Sequence, residues 1–250
     1  MSTSVPRLRK TFFIHEGHIA ANRKLSPLAL AMFLQEIAST HATQLGVGIE
    51  ELLAQEKTWV LSRLKIRLTE NPVRPEKITI ETWPSGKERL FAMRNFVLYD
   101  DAGHVFGHAD SAWLIIDVNS RRPLKIDPFL VGWAQFPYEK EWPFEPNGLP
   151  AFTPENDGRR FYTRFRDLDI NQHVNNVSYM EWALEGLPWD LLFHGELQEI
   201  EIHFLGESFL GEEVVSYAMP TPDLPHWYHR IMRVSDQKEL ARMKSIWVTT

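Results

Sequence analysis

Residues 161–185 read FYTRFRDLDINQHVNNVSYMEWALE, and residues 12–36 read FFIHEGHIAANRKLSPLALAMFLQE. At an offset of 149 residues the two stretches place Phe12 on Phe161, Phe13 on Tyr162, Asn22 on Asn171, Leu28 on Val177, Phe33 on Trp182 and Glu36 on Glu185. Farther along the offset falls to 136, so that LKIRL (64–68) meets IEIHF (200–204), Ile78 meets Val214, Pro84 meets Pro220 and Arg94 meets Arg230. After one more small gap Trp113 meets Trp247. Ordered matches with few gaps mark a duplicated unit. Two similar domains are therefore expected within 250 residues, a length that can bury one large core or two.

Both copies open alike: a short aromatic strand, a loop, then a helix. In the first copy Ser26 and Pro27 supply a cap and a first-turn residue ahead of LALAMFLQEIASTHATQL. Leu28, Ala31, Met32, Gln35, Ala38 and Ala42 fall at helical spacing, and Leu30, Phe33, Leu34 and Ile37 cover much of the rest, so this helix is predicted to be buried on more than one side. Alternation predicts strands at 61–68, 77–83, 91–99 and 108–117, with turn signals at NPVRP, PSGKE and DDAGH. The second copy repeats the order: a helix over 177–193, interrupted at Gly186 and Pro188, then strands at 200–204, 213–219, 227–234 and 239–248. Residues 129–157 are rich in proline, tryptophan and glutamate without periodicity and read as a packed connector. The expected class is α+β: a tandem double hotdog, each copy a long helix packed on a curved antiparallel sheet, the pair making a pseudo-dimer in one chain. Domains are expected at 1–128, 129–157 (connector) and 158–250.

Composition narrows the function. Hydrophobic residues at 44% and charged residues at 24% belong to an ordinary globular protein. With no cysteine, thiolate metal ligands, disulfides and a cysteine nucleophile are excluded. A net charge of −6 argues against a general nucleic-acid binder. MSTSVPRLRKTFFIHEGH holds too short an apolar run for a signal-peptide core, and no stretch reaches transmembrane length, so a cytoplasmic chain without membrane insertion is expected.

Polar residues concentrate at Asp167, Asp169, Asn171, His173, Asn175 and Asn176, in a loop that feeds a helix N-terminus. Unpaired backbone N–H groups at such a place can polarise a carbonyl oxygen, while carboxylate, amide and imidazole groups position and activate water. The plainer reading makes Asp167 and Asp169 turn residues, Asn175 a helix cap and His173 a loop histidine. The two copies discriminate: at the 149-residue offset Asp169 faces Ala20 and His173 faces Lys24, and only Asn171 keeps its counterpart in Asn22. A residue needed to fold both copies should appear in both, so one working site and one degenerate copy is the better account. Asp167, Asp169 and Asn171 have the spacing of a calcium-loop start, but Gln172 and Ser178 stand where an EF-hand needs glycine and glutamate. An aspartyl phosphatase would need a strand–helix alternation that the surrounding sequence lacks. His15, His18, His203 and His229 are not set at metal-ligand spacing, and no metal is expected.

The stretch RFRDLDINQHVNNVSYMEWALEGLP resembles the signature of the plant and bacterial acyl-acyl carrier protein thioesterases. WVLSRLKIRL, TWPSG, RLFAMRNFVLYD and SAWLIIDVNSRRPLKI resemble that family's N-terminal domain, so the likeness covers nearly the whole chain. The resemblance implies a cofactor-free double-hotdog enzyme of fatty-acid biosynthesis that hydrolyses a long-chain acyl thioester on acyl carrier protein. It places the family's catalytic aspartate, asparagine and histidine on Asp169, Asn171 and His173, and its glutamate on Glu207 in FLGES. Plant members carry cysteine at the next position; this chain has Ser208. Direct attack by water is therefore expected, with Asp169 or Glu207 as general base, Asn171 and His173 holding the water and polarising the carbonyl, and N–H groups around Val174, Asn175 and Asn176 facing the oxyanion. The competing route is an acyl-enzyme on Asp169.

The acyl chain is expected in an apolar tunnel of the first domain along the helix, with Met32, Phe33 and Leu34 contacting it. Acyl carrier protein is acidic, so docking calls for concentrated cations: Arg121, Arg122 and Lys125, or Arg159, Arg160, Arg164 and Arg166. Coenzyme A as carrier, or a non-catalytic acyl-binding hotdog protein, are the alternatives. Fusion of two copies lets a monomer build a site that single copies assemble by dimerising, leaving monomer or homodimer open.

Overall fold

The structure, a computed structural model, describes residues 7–126, 144–145, 148–154, 156–222 and 225–249. The chain divides into two compact units, 1–143 and 144–250. Most of the expected connector, 129–143 with 146, 147 and 155, lies outside the described residues.

The first unit runs β1 (Leu8–Phe13), α1 (Pro27–Gln44), α2 (Ile49–Leu53), β2 (Lys57–Leu68), β3 (Lys77–Glu88), β4 (Phe91–Tyr99) and β5 (Val105–Asp117). Its strands pair antiparallel in the order β1-β3-β4-β5-β2. Helix α1 starts where its caps dictate: Ser26 Oγ accepts the Leu28 N–H at 3.2 Å, and Pro27, which has no N–H to satisfy, opens the first turn. Leu30, Phe33, Leu34 and Ile37 are buried, and Phe12 of β1 stacks on Phe33 with ring centroids 4.6 Å apart. Each such side chain contributes about 1.5–3 kcal/mol by leaving water.

Two local features depart from expectation. Helix α2 is a single turn, too short to show periodicity, and places Leu52 among Ala92, Ile115 and Ile126. PSGKE is not a turn: β3 continues to Glu88, and the pairing shifts between Pro84 and Gly86. That bulge absorbs the proline, while Gly86 at φ 122° takes a conformation that side-chain-bearing residues avoid.

The second unit has β6 (Arg159–Tyr162), α3 (Asn176–Leu184), α4 (Trp189–His194), β7 (Gly195–Phe204), β8 (Glu213–Pro220), β9 (His226–Arg233) and β10 (Glu239–Thr249), paired antiparallel in the order β6-β8-β9-β10-β7. This is the topology of the first unit, and the register agrees. Phe12 faces Ile78 as Phe161 faces Val214; Leu61 faces Trp113 as Leu197 faces Trp247. The chain is thus an α+β tandem double hotdog. One pairing from the sequence fails: Pro84 faces Arg94, whereas Pro220 faces Trp227, because the bulged β3–β4 hairpin is longer than its partner. The second helix is broken as expected, α3 ending before Gly186 and α4 following Pro188. A Cβ on Gly186 would stand 3.3 Å from that of Ala218, so the turn lies close on β8. Among the described residues no helix is long and apolar enough to cross a membrane.

A buried polar chain ties α3 to its sheet. Trp247 Nε1 donates to Ser245 Oγ at 2.9 Å, Ser245 Oγ lies 2.9 Å from His229 Nε2, and His229 Nδ1 lies 3.0 Å from the Ala183 carbonyl. The carbonyl can only accept, so Nδ1 carries the proton and Nε2 receives the serine hydroxyl. In the first unit Trp113 Nε1 likewise donates to Ser111 Oγ at 2.7 Å. Burial pushes the His229 imidazole down to about 3. Because the folded value is depressed, the unfolded chain alone takes up this proton as pH falls below about 6.5, and stability drains away until the folded value near 3 is reached. Chemical denaturation at several pH values should show a shallower slope of unfolding free energy between about pH 6 and 4 in His229→Gln, by up to about 1.4 kcal/mol per pH unit; an unchanged slope contradicts the assignment.

Candidate active site

The loop that carries DINQHVNN is built by a backbone turn found in both units. Asp169 N–H donates to the His173 carbonyl at 2.8 Å, and Gln172 N–H to the Asp169 carbonyl at 3.0 Å; the counterparts are Ala20 to Lys24 at 2.9 Å and Arg23 to Ala20 at 2.8 Å. Gln172 and Arg23 both sit at positive φ, 64° and 68°. A non-glycine residue there costs about 1–3 kcal/mol, which the surrounding bonds must offset. Bridges Leu168 to Val174 and Ile19 to Leu25 flank the turn, and Asn175, like Ser26, caps the helix that follows, its Oδ1 accepting the Val177 N–H at 2.9 Å. The turn and cap are therefore architecture.

Side chains separate the copies. Asp169 Oδ1 accepts the N–H groups of Asn171 at 2.8 Å and His173 at 3.1 Å. Its Oδ2 has no hydrogen bond among the described residues. In the first unit Ala20 offers nothing, and Asn22 Oδ1 takes the Lys24 N–H at 3.1 Å instead. His173 Nδ1 lies 3.5 Å from Glu207 Oε1, and its ring stands T-shaped to that of Phe209 with centroids 5.2 Å apart. Both groups of this pair are partly exposed, so water reaches them. Asn171 is exposed. Aspartate, asparagine, histidine and glutamate thus sit on one loop and the strand end beside it, an arrangement able to hold and deprotonate a water. Among the described residues no group of histidine and carboxylate side chains could hold a metal ion.

Two of the three backbone N–H groups expected to face an oxyanion are committed elsewhere. Val174 donates to the Ser208 carbonyl at 3.0 Å and Asn175 to the Asp167 carbonyl at 2.7 Å. Asn176 is the first residue of α3. Asp167 is buried, with Arg164 giving it a backbone and two guanidinium hydrogen bonds, so the first aspartate of DLD is structural.

Sequence reading missed the support behind Glu207. Ser208 is fully buried and donates from Oγ to Glu212 Oε2 at 2.7 Å; the Phe209 N–H donates to the same oxygen at 3.0 Å. Arg233 NH1 lies 3.2 Å from both Glu212 oxygens and 3.2 Å from the Glu207 carbonyl. Burial pushes the Glu212 carboxyl up, but the bonds from Ser208, Phe209 and Arg233 outweigh it and hold the group below its ordinary value. No motif links residues 212 and 233, since sheet pairing alone brings them together.

In the first unit Phe33 and Leu34 are buried in the core, while Met32 is 44% exposed on the other side of α1. Of the cation clusters, Arg159, Arg160 and Arg164 are paired with Glu185, Glu213 and Asp167. Arg166 is exposed without a partner among the described residues, between Phe165 and Ile170, themselves 84% and 91% exposed. Arg121, Arg122 and Lys125 are exposed.

Comparison with known proteins agrees with this architecture. The oleoyl-acyl carrier protein thioesterase 1, chloroplastic, of Arabidopsis thaliana is 29% identical over 234 residues, covering 86% of this chain and 64% of that protein. The palmitoyl-acyl carrier protein thioesterase, chloroplastic, of Cuphea hookeriana is 24% identical over 257 residues, covering 96% of this chain and 61% of its own length. The chain thus spans a little under two thirds of these relatives. A crystal structure of an acyl-ACP thioesterase from Bacteroides thetaiotaomicron superposes with a TM-score of 0.85 at 28% identity, covering 97% of this chain and 98% of that one. Residues 7–131 match the acyl-ACP thioesterase N-terminal domain and residues 153–248 the C-terminal domain of the same family. With both domains matched in order, this chain belongs to the acyl-ACP thioesterase family.

Proposed function

We propose that this chain hydrolyses the thioester of long-chain acyl-acyl carrier protein and releases a free fatty acid, in the setting of cytoplasmic fatty-acid synthesis. The observation that carries the reading is the asymmetry of the two loops: the same backbone turn holds Asp169 and His173, with Glu207 alongside, in one unit only. Water attacks the thioester carbonyl carbon and gives its proton to Asp169 Oδ2. The tetrahedral intermediate then expels the thiolate, which takes that proton and leaves as the carrier thiol. The His173 imidazole, oriented at Nδ1 by Glu207, and the Asn171 amide polarise the carbonyl oxygen. The Val174 and Asn175 N–H groups are already used, which favours these side chains for that role. Ser208 is a poor nucleophile in this arrangement, because its hydroxyl is buried and already donates to Glu212.

Asp169→Asn keeps an oxygen for the two loop N–H groups and removes only the charge and basicity. Turnover should fall by about 10²–10⁴-fold with the melting temperature little changed; an active variant sinks the assignment. Single turnover in oxygen-18 water tests the competing acyl-enzyme route: direct attack labels the fatty acid, while an Asp169 anhydride hydrolysed at Cγ puts the label on Asp169 and releases unlabelled acid; trapping the acyl-enzyme detects an anhydride hydrolysed at the acyl carbon.

Hydrolysis of a panel of chain lengths on acyl carrier protein and on coenzyme A tests the substrate. We place the acyl chain along α1, so Leu34→Met, a swap that a core tolerates, and Phe33→Leu, which opens space beside Phe12, should shift the product distribution, and Met32 substitutions should matter least. Folded variants with an unchanged product distribution count against that placement. For the carrier, Arg166→Glu should raise KM for carrier-bound substrate by about threefold or more and leave coenzyme A esters unaffected, the effect shrinking with salt. If Arg122→Glu does this instead, docking lies on the other cation cluster.

A further inference from the structure

We infer that Glu212, gripped by Arg233, is a positioning residue that sets the Glu207 carboxylate and the Phe209 ring against His173. The inference rests on the assignment of His173 and Glu207 to the reaction. Residues 205–212 join β7 to β8 without regular structure, so no sheet ladder fixes 207–209. A carboxylate holds them, alongside the Thr163 hydroxyl, which donates to the Phe209 carbonyl. Glu212 Oε2 takes the Ser208 hydroxyl at 2.7 Å and the Phe209 N–H at 3.0 Å, while Arg233 NH1 bridges Glu212 to the Glu207 carbonyl. Arg233 is itself held from behind by Asp236, at 2.9 and 2.7 Å. The Ser208 carbonyl takes the Val174 N–H, tying this segment to the DINQHVNN loop. Both side chains that touch His173 at its Nδ1 and its ring, Glu207 at 3.5 Å and Phe209 at 5.2 Å, therefore leave a backbone that Glu212 holds from within three to five residues. Removing that acceptor leaves the buried Ser208 hydroxyl and the Phe209 N–H unsatisfied, takes one partner from Arg233, and lets the segment shift. Misplacement of about 1 Å can cost about 10²-fold in rate.

The test compares Glu212→Gln, Arg233→Lys, Glu207→Gln and the double variant Glu207→Gln/Glu212→Gln with Glu213→Gln, which removes a neighbouring surface carboxylate, as control. The glutamine has one acceptor oxygen for three donors. Expected for Glu212→Gln and Arg233→Lys is a fall in kcat of about tenfold or more with KM within about twofold, and a shifted limb in the pH dependence of kcat; Glu213→Gln should do neither. In the double variant Glu212→Gln should add much less than its own tenfold, since the group it positions is already gone. A folded Glu212→Gln enzyme with wild-type kcat and pH profile overturns the inference, as does full multiplication of the two losses in the double variant. If Glu212→Gln does not fold, Arg233→Lys carries the same two outcomes. Wild-type turnover in Glu207→Gln overturns the underlying assignment of Glu207; loss in Glu207→Gln with none in Glu212→Gln overturns the positioning role alone.

Discussion

One backbone hydrogen bond, from Asp169 N–H to the His173 carbonyl, closes the turn on which the rest of the second unit's candidate site hangs. It holds Gln172 in the left-handed region, brings the Asn171 and His173 N–H groups onto one carboxylate oxygen, and delivers Asn175 to the mouth of α3 as its cap. Because the carboxylate is pinned by one oxygen, the other has a fixed direction without a separate side-chain support. Pre-organisation of this kind is where such sites gain rate, since little must reorganise when charge develops.

Much of this was legible in the sequence, for physical reasons. Duplication survives as spaced large side chains: Phe12, Ile78 and Trp113 repeat as Phe161, Val214 and Trp247 because each faces the same partner in its own sheet. The caps Ser26 and Asn175 were readable because capping needs an oxygen at one defined position. Hidden were features that depend on register. A bulge at Pro84 and Gly86 looked like a turn, and it also undid the match of Arg94 with Arg230. Arg94 is in fact buried, 3.0 Å from His41 Nδ1, whereas Arg230 pairs with Glu239. In the candidate site the four polar residues of the loop and strand end were visible, but the supports Glu212 and Arg233 were not. Nor could sequence show that the N–H groups of Val174 and Asn175 were already engaged, because the carbonyl that takes the first lies on a distant segment.

Ser208 illustrates how a position next to a candidate site carboxylate can look chemical and be structural. Its hydroxyl supports Glu212 and its carbonyl supports Val174, so it faces inward on both counts. A small side chain with one donor fulfils that requirement. The identity of that donor matters for packing and hydrogen bonding at the strand end.

The left-handed turn at Arg23 has a consequence for how the two units can diverge. Its backbone follows the same turn as the second unit's, with Asn22 Oδ1 taking the Lys24 N–H where Asp169 Oδ1 takes that of His173. The difference between a silent loop and an equipped one is thus held in a few side chains laid over a common frame. A duplicated fold of this type can specialise one copy for chemistry and free the other for different demands without redesigning either backbone.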